Sequence, residues 1–195
     1  MKPPARHLRL VEPAPRLSPV SYVVLGLIGI RGPSTPYDLK REANSTIHYF
    51  WPFSHSQLYG EPERLAELGL LEEQREAGGR RRKTYSLTPA GRSALRDWLR
   101  VAPAEMFEYR DMGLLQLFFS ELMSEDELVR LAEKQADLCR QRLLEYEEIA
   151  ARTDYRWGTD REMATLEFGF RITRAVLQLW KEIAATPAPP GRKRH

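Results

Sequence analysis

Cysteine and histidine, from which many enzyme and metal sites are built, are scarce in this sequence. Its 195 residues include one cysteine, Cys139, and four histidines, and it contains no glycine-rich phosphate loop. One cysteine excludes an internal disulfide and a multi-cysteine metal cage, and Cys139 is interpreted as a small apolar filler on a core face. A nucleophilic triad or a metal site has little to be assembled from. We therefore expect no enzyme activity, no cofactor and no metal.

Long apolar runs are absent as well. The longest, VSYVVLGLIGI at residues 20–30, is far shorter than the ~20 residues that cross a bilayer. A proline-rich stretch precedes this run and no small-residue cleavage site follows it, which argues against a signal peptide. We therefore expect a cytoplasmic protein without a membrane partner.

Positive charge, in contrast, is present and unevenly distributed. Residues 17–101 carry 12 Lys and Arg against 9 Asp and Glu, a net charge of +3, whereas residues 102–186 carry 11 against 17, a net charge of −6. The basic half is suited to a polyanion, which would repel the acidic half. Both ends are basic, proline-rich and without hydrophobic periodicity. We expect residues 1–17 to be a disordered arm and residues 187–195 a disordered tail.

Residues 18–101 carry the signals of a winged helix-turn-helix. Ser or Thr followed by Pro at 18–19, 35–36 and 88–89 indicates three helix starts. Ser54 caps a further helix, and two strand-like segments flank Ala77-Gly78-Gly79, which predicts a hairpin. The order is helix, helix, helix, strand, turn, strand, helix. We expect a mainly α fold with a small β-hairpin in this DNA-binding domain.

Residues 102–186 show helical periodicity and no strand pattern, which predicts a helical dimerisation and effector domain. Two long helices are expected to lie antiparallel. Each has more apolar surface than one hairpin can bury, so a second copy of the chain is the expected cover. The predicted dimerisation residues are Leu128, Leu131, Leu138, Leu166, Phe170, Leu177 and Trp180.

The hairpin turn is followed by four consecutive cations, Arg80, Arg81, Arg82 and Lys83. A wing that crosses a duplex places such side chains against phosphates, where each contact releases condensed counterions. A solvated loop tip is the alternative. The position after three helices favours the wing, because the partner would neutralise the repulsion among the four charges.

The third helix begins with short polar side chains, as a recognition helix entering the major groove requires. The candidate DNA-binding residues are Ser54, His55, Ser56, Gln57 and Tyr59. Gln57 is suited to adenine, and the others to phosphate. For Tyr59, a core position against the first helix is an equal alternative. On the second helix, Tyr37, Lys40 and Arg41 are expected to contact phosphate.

Several segments together resemble the PadR family of transcriptional regulators: WPFSHSQLY, ERLAELGLL, the Arg-rich wing and YSLTPAGRSALRDWL. The acidic helical half resembles the subgroup with a virulence-regulator-type, AphA-like C-terminal domain. The resemblance implies a homodimer whose two winged helices read an inverted repeat in double-stranded DNA. It also implies a repressor in most cases, and for many members a response to small aromatic compounds.

The sequence departs from the family pattern at Gly60 and Pro62. Proline inside an ideal helix costs ~3 kcal/mol, so we expect a bend near Gly60 and a new helical segment that opens at Pro62. This would re-aim the reading end of the third helix. The alternative function is accordingly a winged-helix protein-interaction module that has lost base readout.

An aromatic group precedes the third helix. Trp51 is a candidate for a ligand pocket together with Phe107, Tyr109 and Trp157. Packing between the two domains is the alternative and is favoured.

Overall fold

The computed structural model describes residues 16–75, 82–104, 106, 108–152 and 161–186. Contacts among these residues divide the chain into a first unit that ends at Ala102 and a second that begins at Pro103. Within the described ranges, no helix is both long enough and apolar enough to cross a membrane.

The first unit contains the predicted four helices and one hairpin. Its elements are α1 (Pro19–Arg31), α2 (Pro36–Ser45), a 3₁₀ turn (Ile47–Tyr49), α3 (His55–Glu67), β1 (Leu71–Arg75), β2 (Lys83–Leu87) and α4 (Pro89–Arg100). Each α-helix starts where its cap predicts, because the cap side chain accepts a hydrogen bond from the backbone three residues on. The capping residues are Ser18, Thr35, Ser54 and Thr88.

The hairpin pairs β1 with β2 in antiparallel register, from Leu71 opposite Leu87 to Arg75 opposite Lys83. Ser34, between α1 and α2, adds an antiparallel bridge to Tyr85 on β2, with two backbone hydrogen bonds of 3.0 and 2.9 Å. This bridge fixes the hairpin to the helices. The turn at residues 77–79 lies outside the described residues. The predicted class, mainly α with a small hairpin, is confirmed.

The core of the first unit forms around α1, whose apolar side chains point to several neighbours at once. Val24, Leu25 and Ile28 are buried on this helix. Leu39 and Ala43 of α2, Leu58 and Leu65 of α3, and Tyr85 of β2 complete the cluster. The core therefore holds α2, α3 and the hairpin to one central helix.

The predicted restart of the third helix at Pro62 is wrong. α3 is one helix from His55 to Glu67, with Pro62 inside it. The proline ring is fully buried, and burial of apolar surface offsets part of the cost of the missing backbone hydrogen bond. The helix thus continues where local propensity alone predicts an interruption.

The second unit is helical in its described residues: α5 (Met112–Phe118), a 3₁₀ turn (Ser120–Leu122), α6 (Glu125–Arg152) and α7 (Arg161–Ala185). Tyr146 packs edge-on against Phe170, with 5.4 Å between ring centres, whereas Ala132 and Ala136 lie in one cluster with Trp180. Higher numbers on α6 thus meet lower numbers on α7, and the two helices are antiparallel, as expected.

Two predicted dimerisation residues have a different role. Phe170 and Trp180 are only 3% and 1% exposed within this one chain, so they hold α7 to α6 and offer no surface to a second copy. Leu131 and Leu177 also pack against the α6–α7 core, and Leu128 and Leu166 are half-buried. Leu138 alone among the predicted set is exposed.

Candidate nucleic-acid interface

The N-terminal end of α3 presents a polar surface to solvent. Ser54, Ser56 and Gln57 are exposed, and His55 is the first residue of the helix. Ser54 and Gln57 form a capping box, in which the Gln57 side-chain oxygen accepts from the Ser54 backbone N–H at 3.3 Å. An amide oxygen has two lone pairs, so this bond leaves one for a base edge. The cap therefore orients Gln57 without occupying its whole hydrogen-bonding capacity.

A cation on α2 contacts an exposed aromatic side chain of α3. The Nζ atom of Lys40 lies 5.6 Å from the centre of the Tyr59 ring, and Tyr59 is 45% exposed. The alternative core position for Tyr59 is therefore wrong. Tyr37 is exposed as well, with the Arg41 guanidinium 6.0 Å from its ring centre. The structure thus brings four predicted side chains of α2 and α3 to solvent as two cation–aromatic pairs.

Of the predicted wing cations, only Arg82 and Lys83 lie within the described residues; Arg80 and Arg81 fall outside them. Arg82 is exposed. Its charge also acts on Asp38 of α2. The Thr35 hydroxyl, and to a lesser extent the charges of Arg41 and Arg82, hold the pKa of Asp38 below its ordinary value. The start of β2 therefore approaches the helix that carries the other candidate phosphate ligands.

Lys83 corrects the prediction for the wing. Its ammonium lies 2.6 Å from the Glu63 carboxylate on α3 and 3.3 Å from the Glu73 carboxylate on β1. The hydrogen bond to Glu63 raises the pKa of Lys83. Because these carboxylates already balance its charge, Lys83 fixes the base of the wing to α3 instead of extending towards a phosphate.

Tyr85 completes this arrangement at the base of the wing. Its hydroxyl donates to the Glu73 carboxylate at 3.0 Å. Burial, together with this hydrogen bond, raises the pKa of Tyr85 to about 12. Tyr85 is therefore a neutral donor at physiological pH and holds Glu73 in place for Lys83.

Sequence reasoning missed a second cluster, which links α1 to the middle of α3. We call Ser21, Glu61 and Arg64 the Glu61 cluster. The Ser21 hydroxyl donates to Glu61 at 2.5 Å, and the Arg64 guanidinium donates to the two Glu61 oxygens at 2.6 and 2.9 Å. Arg64 also donates to the Ser21 hydroxyl at 3.0 Å. The glutamate and arginine three residues apart on α3 are a detectable signal; the buried serine on α1 is not.

The predicted ligand-pocket residues are only partly described. Trp51 is exposed in the first unit and Tyr109 is exposed in the second, while Phe107 and Trp157 lie outside the described residues. Partial burial, followed by the nearby Asp111 carboxylate, raises the pKa of Tyr109. In the part of the chain that the structure describes, no three His, Cys, Asp or Glu side chains are grouped to hold a metal ion.

Known protein families match both units of the chain. The transcriptional regulator PadR-like family matches residues 24–97, and the virulence activator alpha C-terminal domain matches residues 109–186. Residues 24–97 thus form a PadR-like domain, and the two matches together support a PadR-type transcriptional regulator. The predicted resemblance is thus confirmed, including the AphA-like second half, and the relatives that the chain matches are transcriptional regulators and not enzymes.

Two relatives illustrate this resemblance. The negative transcriptional regulator PadR of Bacillus subtilis is 28% identical over 110 residues, which span 55% of this chain and 60% of that protein. Its crystal structure with operator DNA matches with a TM-score of 0.74 at 22% identity, covering 85% of this chain and 97% of that one.

The structure of the same protein with p-coumaric acid matches with a TM-score of 0.72 at 20% identity, covering 90% and 100% of the two chains. The virulence activator AphA of Vibrio cholerae matches with a TM-score of 0.60 at 29% identity, covering 85% of this chain and 96% of that one. These structures establish that both units of the chain share the PadR-type fold.

Proposed function

We propose that this PadR-like regulator binds double-stranded DNA sequence-specifically, as a homodimer on an inverted-repeat operator, and represses transcription. The observation that carries the proposal is that polar and cationic side chains of α2 and α3 lie at solvent. Gln57 is exposed at the start of α3, and Lys40 on α2 lies over the exposed ring of Tyr59. A base-reading side chain flanked by phosphate ligands is the arrangement that recognition in the major groove requires.

Two findings support this assignment over a protein-interaction module. α3 is continuous through Gly60 and Pro62, so the helix that would read bases is intact. The fold is also that of the B. subtilis regulator whose structure was determined with operator DNA. A module that had lost base readout would have no need for exposed cations on both α2 and the wing.

Exposed apolar side chains in the second unit support the homodimer. On α5 and the turn after it, Met112, Leu115, Phe118 and Leu122 are exposed, and Leu138 is exposed on α6. Large apolar side chains that one chain leaves in water are a common mark of a protein–protein interface. A second copy of the same chain would cover these side chains with closed two-fold symmetry. Each winged helix would then contact one half-site, with ~34–36 Å between half-sites.

Response to a small aromatic compound is the finer part of the proposal. The B. subtilis relative has a structure with p-coumaric acid, and this chain has exposed Trp51 and Tyr109 in its two units. The residues of the binding site stay a prediction from the sequence. Aromatic side chains with a few polar groups are the usual lining of such sites.

The test is selection of duplexes from a random-sequence library by the purified protein, followed by titration of the selected duplex at several salt concentrations. We expect enrichment of an inverted repeat, two subunits per duplex and an affinity that falls steeply with salt. Addition of p-coumaric acid should then weaken the complex. If no sequence is enriched and a scrambled duplex binds equally well, the proposed base readout is wrong.

A further inference from the structure

The middle of α3 is the part of the recognition helix with the weakest backbone. Glycine and proline are the two residues least favourable in a helix interior, because glycine is flexible and proline lacks the N–H of the ladder. Gly60 and Pro62 flank Glu61 inside α3. The direction of the first turn and a half of the helix, which carries Gln57, is therefore poorly fixed by backbone hydrogen bonds alone.

The Glu61 cluster acts at this weak segment. Glu61 is the residue between the glycine and the proline, and its side chain is only 11% exposed. Its partner Ser21 is fully buried on α1. The Ser21 hydroxyl donates to Glu61 and accepts from Arg64 at 3.0 Å and from the Ser18 backbone N–H at 2.8 Å. A hydroxyl has one donor and two acceptor lone pairs, so these three bonds use its full capacity and connect α3 to the cap of α1.

Stability alone gives little reason for this choice of residues. Removing a carboxylate from water is costly, and apolar residues of similar volume often stabilise a protein as well as or better than a buried ion pair does. A network of directional bonds differs from apolar packing in fixing one orientation. In α3 that orientation determines where the N-terminal side chains point.

The cluster is also next to the surface that would read DNA. A groove of about 230 Å³ between α1 and α3 is lined by Ser18, Val20, Ser56, Gln57, Gly60, Glu61 and Arg64. Gln57 and Glu61 are four positions apart and hence adjacent on one side of the helix. A shift of α3 at Glu61 would therefore move Gln57 directly.

We propose that Ser21, Glu61 and Arg64 are positioning residues that hold the N-terminal half of α3 at the angle at which Gln57 discriminates between base sequences. This inference rests on the proposed function, because it needs a DNA sequence to be read. The Glu61 cluster itself contacts no base; it acts through Gln57. It also provides the compensation that allows Gly60 and Pro62 in a recognition helix.

The experiment compares the dissociation constants for a duplex selected by the wild-type protein and for a scrambled duplex. Glu61→Gln keeps the size of the side chain but removes the charge that Arg64 neutralises. We expect it to lower the ratio of the scrambled-duplex constant to the selected-duplex constant about tenfold, within the range that one good base contact contributes. The salt dependence should stay unchanged, because no phosphate contact is lost.

Glu42→Gln is the matched control. It makes the same change in net charge and breaks an ion pair of 2.7 Å with Arg31, between α1 and α2, away from the Glu61 cluster. It should leave the discrimination ratio as in wild type. Ser21→Ala keeps the Glu61–Arg64 pair and removes its link to α1, together with the bond from the Ser18 backbone N–H. It decides the question if Glu61→Gln lowers the melting temperature too far to be assayed.

A double-mutant cycle with Gln57→Ala distinguishes a positioning role of Glu61 from a merely structural one. If Glu61 acts through Gln57, Glu61→Gln should cause no further loss of discrimination once Gln57 is absent. Additive losses in the double variant would overturn the inference. So would a discrimination ratio that stays at the wild-type value in both Glu61→Gln and Ser21→Ala. In either case, discrimination by the wild-type protein would still uphold the proposed function. If the wild type selects no duplex, the proposed function fails, and this inference with it.

Discussion

Lys40 on α2 and Tyr59 on α3 face each other at 5.6 Å, from the ammonium nitrogen to the ring centre. The pair joins the two helices of the helix-turn-helix at their solvent-facing side. An exposed cation–π contact contributes only ~0.5–1 kcal/mol, so its main consequence is positional. It keeps a cation next to α3, where a phosphate of bound DNA would lie.

Replacing Lys40 by Gln should therefore weaken binding to every duplex by a similar factor. One lost phosphate contact lowers the slope of log K against log salt by about 0.9. The measurement is a salt titration of binding to the selected and the scrambled duplex. Lys134→Gln, an exposed position on α6, makes the same charge change in the other unit and should leave the slope unaltered. Equal salt slopes in the two variants would mean that Lys40 does not contact DNA.

The wing offers a sharper contrast between neighbouring cations. Changing Arg80, Arg81 and Arg82 together to alanine should weaken binding at all sequences and reduce the salt slope by up to ~2.7, which is 0.9 for each phosphate contact. Lys83→Gln should leave the salt slope unchanged, because Lys83 already pairs with Glu63 and Glu73. A wing that bound protein instead of DNA would leave the slope of the triple variant at the wild-type value.

Among the glycines that the structure describes, Gly91 leaves the least room for a side chain. A Cβ atom added there would lie 2.1 Å from the carbonyl oxygen of Leu70, whereas one added at Gly26 on α1 would meet nothing within 4 Å. We expect Gly91→Ala to reduce the free energy of unfolding by about 3 kcal/mol, at the upper end of overpacking costs. Gly26→Ala should raise it by up to ~1 kcal/mol, since alanine favours helix. Chemical denaturation of both variants tests this pair, and equal stability would contradict the close approach.

The elements of the first unit were predictable because their signals are local. Ser18, Thr35 and Thr88 each precede a proline, and a cap with Pro at the first helical position needs no tertiary contact to mark a helix start. Lys83 was misassigned for the opposite reason. Its partner Glu63 lies 20 residues away on α3, and a charge run in sequence does not show which cation will meet a carboxylate in the fold.

The second unit shows the same limit in its helix faces. The apolar residues of α6 form two stripes that are offset around the helix, and the sequence does not show which stripe meets α7. Ala132 and Ala136 are too small to mark an apolar stripe, yet their size lets Trp180 pack closely against α6. Phe170 and Trp180 were thus expected at a dimer interface because large apolar residues look alike in either setting.

This distinction predicts two different outcomes for substitutions in the second unit. Trp180→Ala should lower the free energy of unfolding by ~3–5 kcal/mol, the usual cost of removing a buried large aromatic side chain. Leu138→Ser should instead leave the fold intact and weaken self-association about tenfold or more. Sedimentation over a range of protein concentrations measures the second effect. Arg140→Ser, on the opposite side of α6, is its control; equal dimer dissociation constants for the two would place the interface elsewhere.

The charge on Glu61 makes a contribution to stability that depends on pH. Burial alone would raise the pKa of this carboxyl, but hydrogen bonds from Arg64 and Ser21 outweigh it, and the net shift is downward from 4.5. A group with a lowered folded pKa stabilises the fold above its unfolded pKa and loses that contribution as pH falls through the folded value. The difference in unfolding free energy between wild type and Glu61→Gln should therefore be constant from pH 7 to about 5 and shrink below about 4.5. Denaturation at fixed pH steps measures it, and a difference that persists undiminished to pH 3 would mean that Glu61 is not held as a carboxylate by its partners.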